Sequence, residues 1–160
     1  MSKKELIIII NGTDTKFFEK NINRIILSKD VEINDKNCTL LQTDFTSLED
    51  LIKARQIISK QLHPINKIVI INKNIDLNMI SYQHDYNIIK DNYLKLSNLL
   101  YFINLLIKNF DKKIDFILSF EKNNHYKVHT NIFNESITNY LIVLKKDLKD
   151  SYEINIKKSN

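Results

Sequence analysis

Few residues of this chain are of types and spacings that could do chemistry. Gly12, the only glycine, closes the apolar run Leu6–Ile10 at Asn11-Gly12-Thr13. Strand, glycine turn and helix start is the layout in which backbone N–H groups cradle a phosphate. Such a loop needs further glycines for close approach, and the positions that would supply them hold Lys16 and Phe18. Lys16 could meet a phosphate, whereas Phe18 would fill the space of a pyrophosphate; a lone glycine closing a turn needs no ligand at all. One Tyr-x-x-x-Lys pair, Tyr86 and Lys90, has acid/base spacing but opens a helix in the middle of the chain. Ser119 ends an apolar strand without a base in sequence register. His125 and His129 follow Glu121 and would suit a metal only on a helix, and no cysteine joins them, so no metal site is expected. Cys38 is the only cysteine, which excludes an intrachain disulfide and leaves an ordinary thiol beside a turn.

The elements that must position these residues alternate from end to end. Leu6–Ile10 is a continuous apolar run, as suits a central parallel strand buried on both faces. Phe18, Ile22, Ile25 and Ile26 recur at helical spacing from about Thr15, although Ile25–Ser28 also fits a short second strand, which we favour. Thr39–Gln42 is a third strand. Thr46 and Glu49 fit a capping box for a helix carrying Leu48, Leu51, Ile52, Ile58 and Leu62, ending before Pro64. Asn66–Asn72 is a fourth strand and 73–84 is irregular. Asp85–Asn109 is a long helix with Ile89, Leu96, Leu99, Leu100, Ile103 and Ile107 on one face. Lys113–Ser119 is a strand, Ile132–Lys149 a helix and Tyr152–Lys157 a final strand. The expected fold is α/β and Rossmann-like, a mostly parallel twisted sheet of about six strands with helices on both faces, in one domain spanning 1–160.

Composition narrows the partners. The formal charge of +5 permits polyanion binding, but the lysines are scattered rather than aligned, so no nucleic-acid role is expected. The apolar stretch near the N-terminus is too short for a signal segment and no run reaches the length of a membrane span. No membrane association and a cytoplasmic location are expected, in keeping with the single thiol.

With the elements in this order, the chain resembles the short-chain dehydrogenase/reductase family over nearly its whole length. That family's TGxxxGxG signature falls on Asn11, Gly12, Lys16 and Phe18, keeping only the first glycine. Its adenine-contacting acid falls on Asp44 in TDFT, its NNAG motif on Asn72-Lys73-Asn74-Ile75, and its helix asparagine on Asn92. Asp30 would take the place of a ribose-reading acid. Ser119 lies near the family's serine, while the YxxxK acid/base pair falls on Thr130 and Asn134. Threonine has no ionisation near neutral pH and asparagine no positive charge to shift one. The resemblance therefore implies a member without catalytic residues, with a cofactor site that is vestigial at best at Gly12, Asp44 and Asn72. No cofactor is expected, or NAD or NADP if any. Gly12 to Asp44 is shorter than the family's span, implying loss of the helix between strands two and three, and the family's last strand and substrate-covering segment have no counterpart here.

On the long helix, Leu94, Asn98, Tyr101 and Leu105 lie opposite the core stripe, and three of the four are apolar or aromatic. The following helix offers Ile142 on its outer face. In the resembled family these two helices pair with a partner's, so a homodimer or a heteromer with a related reductase is expected. The functional expectation is a catalytically inactive protein acting through helix-mediated assembly. Its alternative is a diverged NAD(P)-binding oxidoreductase or nucleotide sensor with an unconventional or partner-completed site. An unrelated flavodoxin-like module would show a different strand order.

Overall fold

The computed structural model describes residues 3–11, 22–30, 36–73, 82–120 and 128–159. Six parallel strands form one sheet: β1 (Lys4–Asn11), β2 (Asn23–Ser28), β3 (Cys38–Gln42), β4 (Ile65–Asn72), β5 (Phe110–Phe120) and β6 (Glu153–Ser159), in the order β3-β2-β1-β4-β5-β6. This order is Rossmann-like and excludes the flavodoxin-like alternative. Among the described residues the helices are α1 (Leu48–Gln61), α2 (Tyr82–Leu106, continued by a 3-10 turn to Asn109) and α3 (Val128–Asp147).

One face of the sheet carries most of the core. Leu6 and Ile8 of β1, Ile25 of β2, Ile68 and Ile70 of β4, and Ile114, Phe116 and Leu118 of β5 meet Leu51 and Ile58 of α1, Leu99 and Ile103 of α2, and Phe133 and Ile137 of α3. All three described helices lie on this face. The opposite face has a smaller apolar cluster, Ile7, Ile9, Ile26, Val69 and Ile71. The helix expected from about Thr15 lies outside the described residues. On that second face the apolar cluster gives way to charge: Glu5, nearly fully buried, lies 3.6 Å from Arg24 and 2.8 Å from Lys67, and Asp115 accepts from Asn155 and Lys157. The contact with Lys67 lacks hydrogen-bond alignment and acts as charge attraction.

The structure refines the sequence expectations at several ends. β2 is a strand, as favoured, because Ile25, Ile26 and Leu27 are buried between β1 and β3. The cap of α1 is Ser47 rather than Thr46: the Ser47 hydroxyl accepts from Asp50 N–H at 3.2 Å, while Thr46 turns back to Asp44. Consequently Leu48 and Ile52 are exposed, and Leu51, Ala54, Ile58 and Leu62 form the buried stripe. Between β2 and β3 the described residues, 29, 30, 36 and 37, are not helical. No helix of the described residues is long and apolar enough to cross a membrane.

Candidate functional site

Asn11 and Asn72 are the last residues of β1 and β4. Between these strands the sheet order changes direction, so the crevice beyond their carboxyl ends is where an open α/β sheet takes a ligand. The β1–β4 register runs in step through Ile9–Ile71 and then shifts, so that Asn11 rather than Ile10 stands opposite Asn72. Asn11 Nδ2 donates to Asn72 Oδ1 at 2.9 Å, and Asn72 Nδ2 donates to Asn134 Oδ1 of α3 at 2.8 Å. From α2, Lys95 Nζ donates to Asn11 Oδ1 at 3.2 Å. An ammonium only donates, so Asn11 must turn its oxygen to Lys95 and its amino group to Asn72, and that choice fixes the orientation of the other two amides. Three amides are thus hydrogen-bonded in one direction behind a positive charge, an arrangement in which each bond polarises the next. Asn72 is fully buried with both amide ends engaged. None of the three amides can move a proton near neutral pH; together they tie β1, β4 and α3 to each other.

Lys95 lies on the sheet-facing stripe of α2, one turn after Asn92 and one before Leu99. Its burial pushes the ammonium below the ordinary lysine value, against the attraction of nearby Asp44. Asp44 is used in the turn between β3 and α1. Its Oδ1 accepts from the Thr46 hydroxyl at 2.7 Å and the Thr46 N–H at 2.9 Å, and Lys29 lies 3.6 Å from Oδ2. The two Thr46 bonds hold its carboxyl below the usual carboxylate value. Asn11, Ser28, Asp30, Asp44 and Lys95 line a cavity of about 90 Å³ at the ends of β1–β3. Ligand pockets usually run from about 300 to 1,000 Å³.

The remaining expected positions are only partly brought together. Asn92 is buried in α2 against the first turn of α3, where its Nδ2 donates to the His129 carbonyl at 3.4 Å and its Oδ1 has no hydrogen-bond partner among the described residues. Thr130 is buried on the sheet-facing side of that same turn, and Asn134 follows one turn later. Ser119 is not with them. Ile114, Phe116, Leu118 and Phe120 face α2 and α3, so by strand alternation Ser119 shares the opposite face with Asp115 and Ile117. Tyr86 and Lys90 both lie on the solvent side of α2. Gly12, Lys16, Phe18, Glu121 and His125 fall outside the described residues, and no group of residues suited to a metal occurs among the described ones.

Of the expected interface residues, Leu94 and Tyr101 are exposed on α2, at 42% and 48%, and Leu105 is half-buried. Asn98 is committed within the chain, donating to the Phe45 carbonyl at 2.9 Å, which pins α2 to the turn before α1. Ile142 is exposed on the β6 side of α3, where it lines a groove with Tyr152 and Ile156. The sequence reading missed Lys95 and the Tyr93–His129 pair, whose hydroxyl and Nδ1 share a 3.0 Å hydrogen bond between α2 and α3. For Lys95 a signal existed: with Asn92 it places two polar residues on a helix stripe otherwise aimed at the core.

No family model matches the sequence, and no curated protein is similar to it in sequence. Solved structures are similar in fold. A short chain dehydrogenase family protein from Francisella tularensis subsp. tularensis SCHU S4 superposes with a TM-score of 0.73 at 16% identity, over 98% of this chain and 68% of that one. A short-chain dehydrogenase/reductase (glucose/ribitol dehydrogenase) from Brucella melitensis gives 0.72 at 12% identity, over 99% and 77%. The 3-ketoacyl-(acyl-carrier-protein) reductase from Brucella melitensis, solved with NADH, gives 0.68 at 12% identity, over 98% and 74%. The chain has the short-chain dehydrogenase/reductase-like fold.

Proposed function

We propose that this chain is a non-catalytic version of the reductase fold that works through assembly, as a homodimer or as the partner of a related reductase. The observation that carries the reading is the chain Lys95–Asn11–Asn72–Asn134 across the switch point. Side chains that a ligand would have to engage there are already engaged with each other, and a ligand would have to break bonds between half-buried and buried amides before gaining its own. Thr130 and Asn134 offer no acid/base pair in place of a phenol and an ammonium. The exposed Leu94 and Tyr101 on α2, with Ile132 and Val143 on α3, supply apolar surface for a helix-to-helix contact.

Two measurements test the proposal. Oxidation of reduced nicotinamide with a panel of carbonyl compounds should proceed no faster than without protein, and calorimetry at millimolar NAD or NADP should show no binding. Turnover abolished by Thr130→Ala would overturn the catalytic half. A dissociation constant in the low micromolar range, about −8 kcal/mol, would favour a nucleotide-binding role instead.

A further inference from the structure

We infer that Lys95 is a site of covalent capture for a small uncharged aldehyde, held as an imine in the cavity at the ends of β1–β3. Lys53, Lys67, Lys113 and Lys157 each stand within 3.1 Å of a carboxylate oxygen. Lys95 donates instead to a neutral amide oxygen, that of Asn11, at 3.2 Å. Asp44, which attracts it, has Oδ1 bonded to Thr46 and Lys29 at 3.6 Å from Oδ2. An ammonium has three protons to place. With one uncharged acceptor it is poorly solvated, so burial favours the neutral amine. A desolvated neutral amine is a nucleophile, as its protonated form is not.

The cavity decides what can reach that amine. Its volume is about 90 Å³, and Ser28, Lys29, Asp30, Asp44 and Lys95 line it with the end of β1. A cavity of about 150 Å³ accepts benzene, so this one admits a smaller molecule. The two ammoniums and two carboxylates of the lining cancel, which leaves no net charge to draw an anionic carbonyl compound such as a 2-oxo acid. Ser28, 2% exposed, supplies a hydroxyl that suits a second oxygen on the guest. The fitting guest is a hydroxylated aldehyde of about two or three carbons. The amine nitrogen bonds to the carbonyl carbon as the C=O π bond breaks; the oxygen takes one proton from the nitrogen and one from solvent, and leaves as water. The protonated imine that results carries the same single charge as the ammonium beside Asp44 and keeps one N–H for Asn11 Oδ1. Capture therefore leaves the bonds from Asn11 to Asn72 and Asn134 in place and is compatible with the assembly role proposed above.

The test exposes the full chain briefly to glycolaldehyde at neutral pH with cyanoborohydride, which reduces the imine to a stable secondary amine, and reads each lysine by peptide mass spectrometry. Lys95 should be labelled at least about tenfold faster than Lys90 and Lys108, exposed lysines on the same helix and its 3-10 continuation. The advantage should vanish in urea. Benzaldehyde, too large for the cavity, should show no preference for Lys95. Ser28→Val, which fills the cavity, should bring labelling of Lys95 by glycolaldehyde down to the rate of Lys90 at an unchanged melting temperature. The size comparison is made on the wild type and holds whether or not that variant folds. Labelling of Lys95 no faster than Lys90, an advantage that survives unfolding, an equal preference with benzaldehyde, or a folded Ser28→Val that labels like the wild type would overturn the inference.

Discussion

Substitution of Asn72 by alanine measures the amide chain at its centre. The side chain is fully buried and makes two hydrogen bonds, at 2.9 Å from Asn11 and 2.8 Å to Asn134. Each is worth about 1 kcal/mol net, and the void left behind adds roughly 0.5–1 kcal/mol. Asn11 and Asn134 are only half-buried, so water can reach their freed groups and the full penalty of an orphaned polar atom does not apply. The expected loss is about 2.5–3 kcal/mol, which in a domain of this size lowers the melting temperature by roughly 6–12 °C. Asn134→Ala leaves the Nδ2 of the fully buried Asn72 without its acceptor and should cost about 1–3 kcal/mol. Urea unfolding of the wild type, both single variants and the double variant closes a cycle, with an expected coupling of about 1 kcal/mol between Asn72 and Asn134. A coupling below about 0.3 kcal/mol, or an Asn72→Ala loss below about 0.5 kcal/mol, would refute the claim that these amides hold the carboxyl edge together.

Other substitutions probe other parts of the molecule. Lys95 has a lowered value in the folded chain, so below that value it carries its full burial cost, and stability rises as pH climbs from there toward the ordinary lysine value. The stability difference between Lys95→Met and wild type should therefore shift in the wild type's favour over the alkaline range; a pH-independent difference would contradict this. Asp44 is lowered, so its contribution is complete above the ordinary carboxylate value and fades as pH falls through its folded value; Asp44→Asn should remove that part of the acid sensitivity in urea titrations. Glu5→Leu leaves the buried Arg24 and the half-buried Lys67 without their shared carboxylate, and a loss of about 3–5 kcal/mol is expected by denaturant unfolding. Tyr101→Glu should convert a dimer to monomer in light scattering, and a wild type that is monomeric at tens of micromolar would exclude self-association through α2.

The sequence carried the fold where local pattern and burial coincide. Leu6–Ile10 and Ile68–Ile71 are continuous apolar runs because both faces of the central strands are buried. Ile25–Ser28 was ambiguous because a short apolar run fits both periods, and only pairing with β1 and β3 settles it. At α1, Thr46-Ser47 offers two adjacent capping hydroxyls, and Asp44 decides between them by accepting from Thr46. The site was less legible. Asn72 was identified through resemblance, but its partners are sixty-odd positions away in either direction, and a register shift at Asn11 has no signature in the apolar pattern. Asn98 lies off the core stripe by helix angle, yet a backbone carbonyl of a neighbouring turn reaches it, which no periodicity encodes.

The separation of core from carboxyl edge explains how the fold can stay close to that of a short chain dehydrogenase family protein at 16% identity. Ile8, Ile70, Leu99, Phe116 and Phe133 are fully buried below the strand ends, and what they require of a substitution is volume and apolar character, which many sequences meet. The edge asks more of its residues. There, Asn134 accepts from Asn72, and a side chain with no acceptor at that helix position would leave the buried amide unpaired. Thr130 is buried in the first turn of α3, so a tyrosine there would overpack it at about 1–3 kcal/mol, and Lys95 would still be bonded to Asn11 at the switch point. In this chain the polar side chains at the strand ends are bonded to each other, and what stands there is a property of those residues and not of the fold.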